Sequence, residues 1–177
     1  MPLDFRLLSM SELRSRPGEV FDRVADEGEA FIIEKGGRRK ACLVPLSVFF
    51  PDVAPSRIAD EMDELRQHGE TARVEITDAR ELALRFTCEL RKDERVEVRV
   101  VLPHGYPSTP PRVYAEIGEG HVPHRWRDGA LCLYGVMSGW NPGRHTALST
   151  LHLAREWLGR YDAWRHAGTW PSAGEAP

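Results

Sequence analysis

Residues 105–142 read GYPSTPPRVYAEIGEGHVPHRWRDGALCLYGVMSGWNP. Tyr106, Pro107, Pro110 and Pro111 open the stretch with a rigid, extended crossing, because each proline fixes its own φ and pushes the residue before it out of the helical region. A strand at 112–117 follows. From Gly118 to about Gly143 periodicity stops, yet the segment holds Trp126, Leu131, Leu133, Tyr134, Val136, Met137 and Trp140. A long irregular segment that is also aromatic reads as a functional loop packed on a scaffold. Near its centre Cys132 stands between two leucines, eight residues after His124 and eight before Trp140. Alternation alone leaves open whether that thiol is buried or reactive.

The scaffold is legible on both sides of the loop. Before it, TARVEIT, ELALRFTCEL and ERVEVRVVL alternate with period two and carry charged interruptions, the pattern of an antiparallel meander with one wet face. Leu82, Leu84, Phe86, Cys88 and Leu90 share one face of the second run, which makes Cys88 a core residue, and Cys42 within ACLVPL reads the same way. A helix is predicted over 57–68: Ser56 is its N-cap, Ile58, Met62 and Leu65 recur at helical spacing, Arg66 and His68 sit near its end, and Gly69 closes it. PDVAPS, residues 51–56, reads as a linker. After the loop, TLHLAREWLGRYDAWRHAGTWP places Leu153, Trp157, Tyr161 and Trp164 on one helical face, the pattern of a helix packed on the sheet.

The first fifty residues form a separate pattern. FRLL reads as a strand, a helix is predicted from about Ser11 to Asp26, and FIIEKGGRRKACLVPL reads as a hairpin whose Gly36 and Gly37 supply positive φ. Ser9 and Glu12 have capping-box spacing. Leu13, Val20, Phe21 and Val24 make an apolar stripe, weakened at Pro17 and Gly18.

The chain has 177 residues, enough for one well-filled domain or two small ones, and its net charge of -3 supplies no global field for nucleic acid or acidic lipid. No run approaches the roughly 20 apolar residues of a membrane span. The expectation is a cytoplasmic protein that does not engage membrane. Cys42, Cys88 and Cys132 are odd in number and lack a CxxC pair, which argues against a disulfide framework or a thiolate zinc site. His121, His124, His145 and Cys132 raise a zinc reading, but His121-x-x-His124 in an irregular loop lacks the helical geometry that makes such spacing specific. Nothing beyond a cysteine and several histidines supports a cysteine protease. No metal or cofactor is expected.

Taken in order, the helix, the meander, Tyr106-Pro107-Ser108-Thr109-Pro110-Pro111, Val122-Pro123-His124, Gly129-Ala130-Leu131-Cys132-Leu133 and Trp140-Asn141-Pro142 resemble the blocks of ubiquitin-conjugating enzymes. The resemblance covers about residues 56–150, and the aromatic helix with its closing Gly-x-Trp-Pro, to about residue 170, resembles the bacterial branch of that family. It implies an α+β, UBC-like domain over 53–177, built from an N-terminal helix, a four-stranded antiparallel meander, an active-site loop and a C-terminal helix. It also implies that Cys132 carries a ubiquitin-like protein as a thioester, received from an activating enzyme and passed to an amine acceptor, a protein lysine or N-terminus. Cysteine suits both steps, being a good nucleophile when ionised and a reasonable leaving group afterwards. His124 occupies the position of the family's oxyanion-stabilising asparagine. It either donates to the oxyanion, an interaction worth roughly 3 kcal/mol, or assists proton transfer, or only braces the loop. Val122 replaces the motif's first histidine, and His121 can substitute by moving one place. Trp140, Tyr134 and His121 are the expected positions for binding substrate or partner. The basic first-helix face with which many family members meet the activating enzyme is replaced here by Asp60, Glu61, Asp63 and Glu64 against Arg57 and Arg66. Bacterial systems of this kind often accompany antiphage defence.

Residues 3 to about 52 resemble the DNA-binding half of prevent-host-death (Phd/YefM) antitoxins, through SELR, the Gly-Gly turn and the hydrophobic pattern. A small β-α-β-β domain over 1–52 follows from that resemblance, with homodimerisation and with DNA contacts at Arg6, Arg14, Arg16, Arg38 and Arg39. Eight Lys/Arg stand against nine Asp/Glu in residues 1–52, where a DNA-binding unit usually shows a basic excess. The competing readings are a dimerisation or docking module, and a chain whose UBC-like part only binds a partner.

Overall fold

A computed structural model describes residues 4–48, 55–91, 94–118, 120–134 and 139–171. Most of the expected linker, the boundary between residues 52 and 53, the side chain of Ser56, and Val136 and Met137 lie outside the described residues. The chain divides into two compact units, Met1–Pro51 and Asp52–Pro177.

In the first unit, β1 (Phe5–Ser9) leads into α1 (Met10–Ser15) and α2 (Pro17–Ala25), followed by β2 (Ala30–Lys35) and β3 (Arg38–Leu43). The strands form one sheet in the order β1-β2-β3, with β1 parallel to β2 and β2 antiparallel to β3. Ser9 caps α1 as a capping box: its hydroxyl accepts from the Glu12 amide at 3.1 Å while Glu12 accepts from the Ser9 amide. The single helix expected over 11–26 is two helices. Arg16 sits at φ -138° and ψ 55° and breaks the run, because Pro17 excludes a helical conformation in its predecessor and restarts the helix at its own first position. Gly36 and Gly37 turn the hairpin at φ 59° and 70°.

Leu8, Val20, Val24 and Phe31 form the small core, with Leu13 and Leu43 against it. Two expectations fail here. Phe21 is 53% exposed, and the buried residues of α2 are Val20 and Val24, four apart on one face. Cys42 is exposed rather than buried. It pairs across the ladder with Ile32, which pairs with Leu7, so all three lie on the sheet face opposite Phe31 and Leu43. Leu7 on that face is 62% exposed.

In the second unit, α3 (Pro55–Gln67) is followed by β4 (Arg73–Ile76), β5 (Leu82–Arg91), β6 (Glu94–Leu102), β7 (Arg112–Ala115) and α4 (Ala147–Ala167). The strands form the expected antiparallel meander in the order β4-β5-β6-β7. α3 begins at Pro55, so Ser56 is inside the helix rather than its cap; proline suits the first helical turn because its missing N–H would go unbonded there. Gly69, at φ 74°, closes the helix, and the Glu70 amide donates back to the Leu65 carbonyl at 2.9 Å.

Leu82, Leu84, Phe86 and Cys88 are buried on one face of β5, and α4 packs against β5, β6 and α3. The opposite face is wet: Arg85 pairs with Glu75 and Glu116, and the Arg99 guanidinium lies 5.3 Å from the Tyr114 ring centre. No helix among the described residues is long and apolar enough to cross a membrane.

Candidate functional site

The loop that carries Cys132 hangs from the free edge of β7. The Leu131 amide donates to the Val113 carbonyl at 2.7 Å, and Leu131 also bridges to Arg125 across a small hairpin. Trp126 and Ala130 bond across that hairpin at 2.8 Å, and the Gly129 amide closes its tip onto the Trp126 carbonyl at 2.9 Å. Cys132 follows directly, half-buried, with its amide donated to the carbonyl of His124 at 2.9 Å.

His124 itself sits at φ 55°, a left-handed conformation uncommon for residues with a side chain but most tolerated by Asn, Asp and His. Its carbonyl accepts a second bond, from the Trp157 indole N–H at 3.0 Å. Its exposed ring lies 4.9 Å from that of Trp170. The loop thus brings Cys132 and His124 together through the backbone. His121 lies exposed three residues earlier.

Trp140 and Tyr134 are placed together as well, but with their polar ends turned into the fold. The Trp140 indole donates to the Pro107 carbonyl, and its ring packs 5.8 Å from Tyr106, 5.3 Å from Tyr134 and 5.5 Å from His145. The Tyr134 hydroxyl shares a 2.6 Å hydrogen bond with Thr150 of α4, and burial pushes its pKa up to about 12. The segment Trp140-Asn141-Pro142 is therefore knitted to the proline crossing.

Beneath this cluster lies a residue the sequence reading assigned to an outer, acidic helix face. Glu61 is only 2% exposed. One of its oxygens accepts from the Tyr106 hydroxyl and from Arg57 at 2.8 Å, and the other accepts from the Ala147 amide, at the start of α4, at 2.6 Å. Arg57 also donates to the His145 carbonyl at 2.8 Å. Burial, and then the hydrogen bond to Glu61, raise the Tyr106 phenol well above its ordinary value, so it remains a donor. A carboxylate at the positive end of a helix is favourable, and here it ties α3, the proline crossing and α4 to one point. The signal for it was present: Glu61 follows Ile58 by three residues and precedes Leu65 by four, inside the apolar stripe of α3. Trp157 was read only as a packing residue and Trp170 only as part of the closing Gly-x-Trp-Pro, because nothing in a helical pattern shows that an indole N–H meets a carbonyl in a distant loop.

A groove of about 650 Å³ opens beside the cysteine loop, lined among others by Pro110, Pro111, Trp126, Arg127, Leu131 and Tyr134. Trp126 is 58% exposed at its edge. Among the described residues, no three His, Cys, Asp or Glu side chains are grouped so as to hold a metal ion. Of the five arginines expected to meet DNA in the first unit, Arg6 is paired with Glu29 and Arg16 with Glu19. Arg14, Arg38 and Arg39 are on the surface or close to it.

No curated protein matches the chain. Among solved structures it is similar to the Vps23 UEV in a complex with ubiquitin, with a TM-score of 0.45, 15% identity, and coverage of 64% of this chain and 86% of that one. The yeast Vps23 UEV domain in complex with a Vps27 PSDP peptide gives a TM-score of 0.45, 14% identity and coverage of 74% and 90%. A ubiquitin conjugating enzyme E2 from Plasmodium falciparum gives 0.42, 20% identity and coverage of 80% and 96%. The family described as Type II CBASS E2 protein matches residues 61–177, the whole of the second unit beyond the start of α3, and the chain therefore belongs to this ubiquitin-conjugating-like family of antiphage defence.

Proposed function

We propose that the chain is a conjugating transferase in which Cys132 is the acyl carrier and His124 its assistant. In the first step the Cys132 sulfur attacks the thioester carbonyl of a ubiquitin-like protein held on an activating enzyme. A new C–S bond forms, the old one breaks, and the activating enzyme's thiol leaves. In the second, an amine nitrogen attacks the Cys132 thioester carbonyl to give a tetrahedral oxyanion. The attack forms the C–N bond; collapse restores the C=O, breaks the C–S bond and expels Cys132 as thiolate, and the proton on the new ammonium passes to His124 or water. A ring N–H donor aimed at the oxyanion lowers that barrier.

The observation that carries this reading is the bond from the Cys132 amide to the His124 carbonyl, which holds the backbone of half-buried Cys132 against that of His124 at the end of a hairpin. The groove beside it suits an extended acyl tail. The test mixes the full chain with a candidate activating enzyme, its ubiquitin-like protein and ATP, and looks on a non-reducing gel for an adduct removed by thiol. The adduct is expected with wild type and absent in Cys132→Ala. An adduct that persists in the variant sinks the assignment.

For the first unit, the sheet face that carries exposed Leu7 and Cys42 with half-buried Ile32 between them supports a pairing surface for a second copy more than a DNA surface, whose arginines Arg6 and Arg16 are already ion-paired. Leu7→Glu is expected to convert a dimer to monomer in sedimentation. A salt-dependent shift of promoter DNA that vanishes in Arg14→Ala or Arg38→Ala would favour the DNA reading instead.

A further inference from the structure

We infer that Trp170 is the positioning residue for the His124 ring, so that the segment after α4 completes the transfer site; the inference rests on the role proposed above for His124. The two bonds accepted by the His124 carbonyl fix its backbone, but neither touches the side chain. The ring is exposed and keeps its χ1 and χ2 freedom unless something lies against it. Among the described residues, its aromatic neighbour is Trp170, at 4.9 Å between ring centres and 36° between planes.

Trp170 reaches that position by a sequence device. Gly168 adopts φ 73°, which ends α4 as its amide donates to the Trp164 carbonyl at 2.7 Å, and the chain doubles back. Glycine takes that conformation at no steric cost. Trp170 then lies 5.2 Å from Trp157 and 6.4 Å from Trp164, half-buried against the helix it has just left. The middle of α4 and the segment just past its end thus supply the two constraints: Trp157 holds the backbone of His124 and Trp170 floors its ring. A ring resting on an indole has fewer rotamers open to it, so its N–H is aimed at a group formed beside Cys132 for a larger share of the time. Without the floor the ring samples several rotamers, and the fraction poised to donate falls.

The experiment separates loading of Cys132 from its discharge. Trp170→Ala in the full chain is expected to load at the wild-type rate and to discharge to a free amine about fivefold more slowly, the scale of one freed side chain. Trp170→Phe restores most of the rate, because a smaller aromatic face still lies under the ring. In a His124→Ala background, Trp170→Ala should add no further loss. Wild-type discharge by Trp170→Ala, or a further loss in the double variant, overturns the inference. If wild type never loads Cys132, the proposed transfer fails, and the inference is read by NMR instead. The His124 ring protons, shifted upfield by the indole, must move downfield in Trp170→Ala and return in Trp170→Phe; unmoved resonances overturn it.

Discussion

In the meander, Leu82, Leu84, Phe86 and Cys88 alternate with more exposed neighbours for most of β5, and the strand keeps its place because a slip of one residue would turn that whole face to water. Among the described residues of the loop between Gly118 and Thr146 burial does not alternate, and the chain is held by individual bonds to chosen carbonyls: Val113, Pro107 and His124. The two regions also treat sulfur differently. Burial pushes the Cys88 thiol up, away from the reactive form, while Cys132 stands half-buried at the end of a hairpin. Apolar burial fixes a surface, whereas directed bonds fix a point, and the transfer site proposed above needs the second.

The meander is the place where a substitution costs most. Phe86→Ala leaves a cavity among side chains that cannot collapse into it, and a loss of about 4 kcal/mol in urea unfolding is expected. A loss below about 1 kcal/mol would show that the sheet is looser than its burial suggests. Glu61→Leu comes next. It strands the Tyr106 hydroxyl and the Ala147 amide and leaves Arg57 without its carboxylate, for a destabilisation of about 3 kcal/mol. If Glu61→Leu were neutral, the loop and α4 would have to be anchored elsewhere. Trp140→Phe keeps the ring contacts but removes the donor to the half-buried Pro107 carbonyl, and about 1 kcal/mol is expected in the same assay.

The same contrast explains what the sequence could say. Period-two alternation yielded the three runs that became β4, β5 and β6, since β5 and β6 carry their burial pattern in their own residues, while the fourth strand was read as the run after the proline crossing. The loop was recognisable only as an ordered set of short blocks, because its bonds join residues as far apart as Trp157 and His124 and leave no local period. Glu61 was misplaced for a related reason: a carboxylate normally marks the wet side of a helix, and only its three donors, buried Tyr106 and Ala147 with half-buried Arg57, reverse that inference. Cys42 was misplaced because alternation tells which residues share a face of β3 but not which face the helices cover.

The smallest effect lies where a polar bond joins regular elements rather than the loop. Arg155 of α4 donates to both oxygens of Glu70, just past α3, at 2.5 and 2.7 Å, and these bonds hold the Glu70 carboxyl below its ordinary value. Because the folded value is the lower one, the pair stabilises the fold above the unfolded pKa of about 4.3. That stabilisation is lost as pH falls through the folded value, where the carboxyl protonates in both states. Glu70→Gln is therefore expected to cost about 0.5 kcal/mol at pH 7, the scale of a partly exposed ion pair. The difference from wild type should hold to about pH 5 and close on further acidification. Urea midpoints at pH 7, 5 and 3 read it directly, and a difference that widens toward pH 3 would mean that Glu70 is held protonated in the fold and that the bidentate pair is not formed.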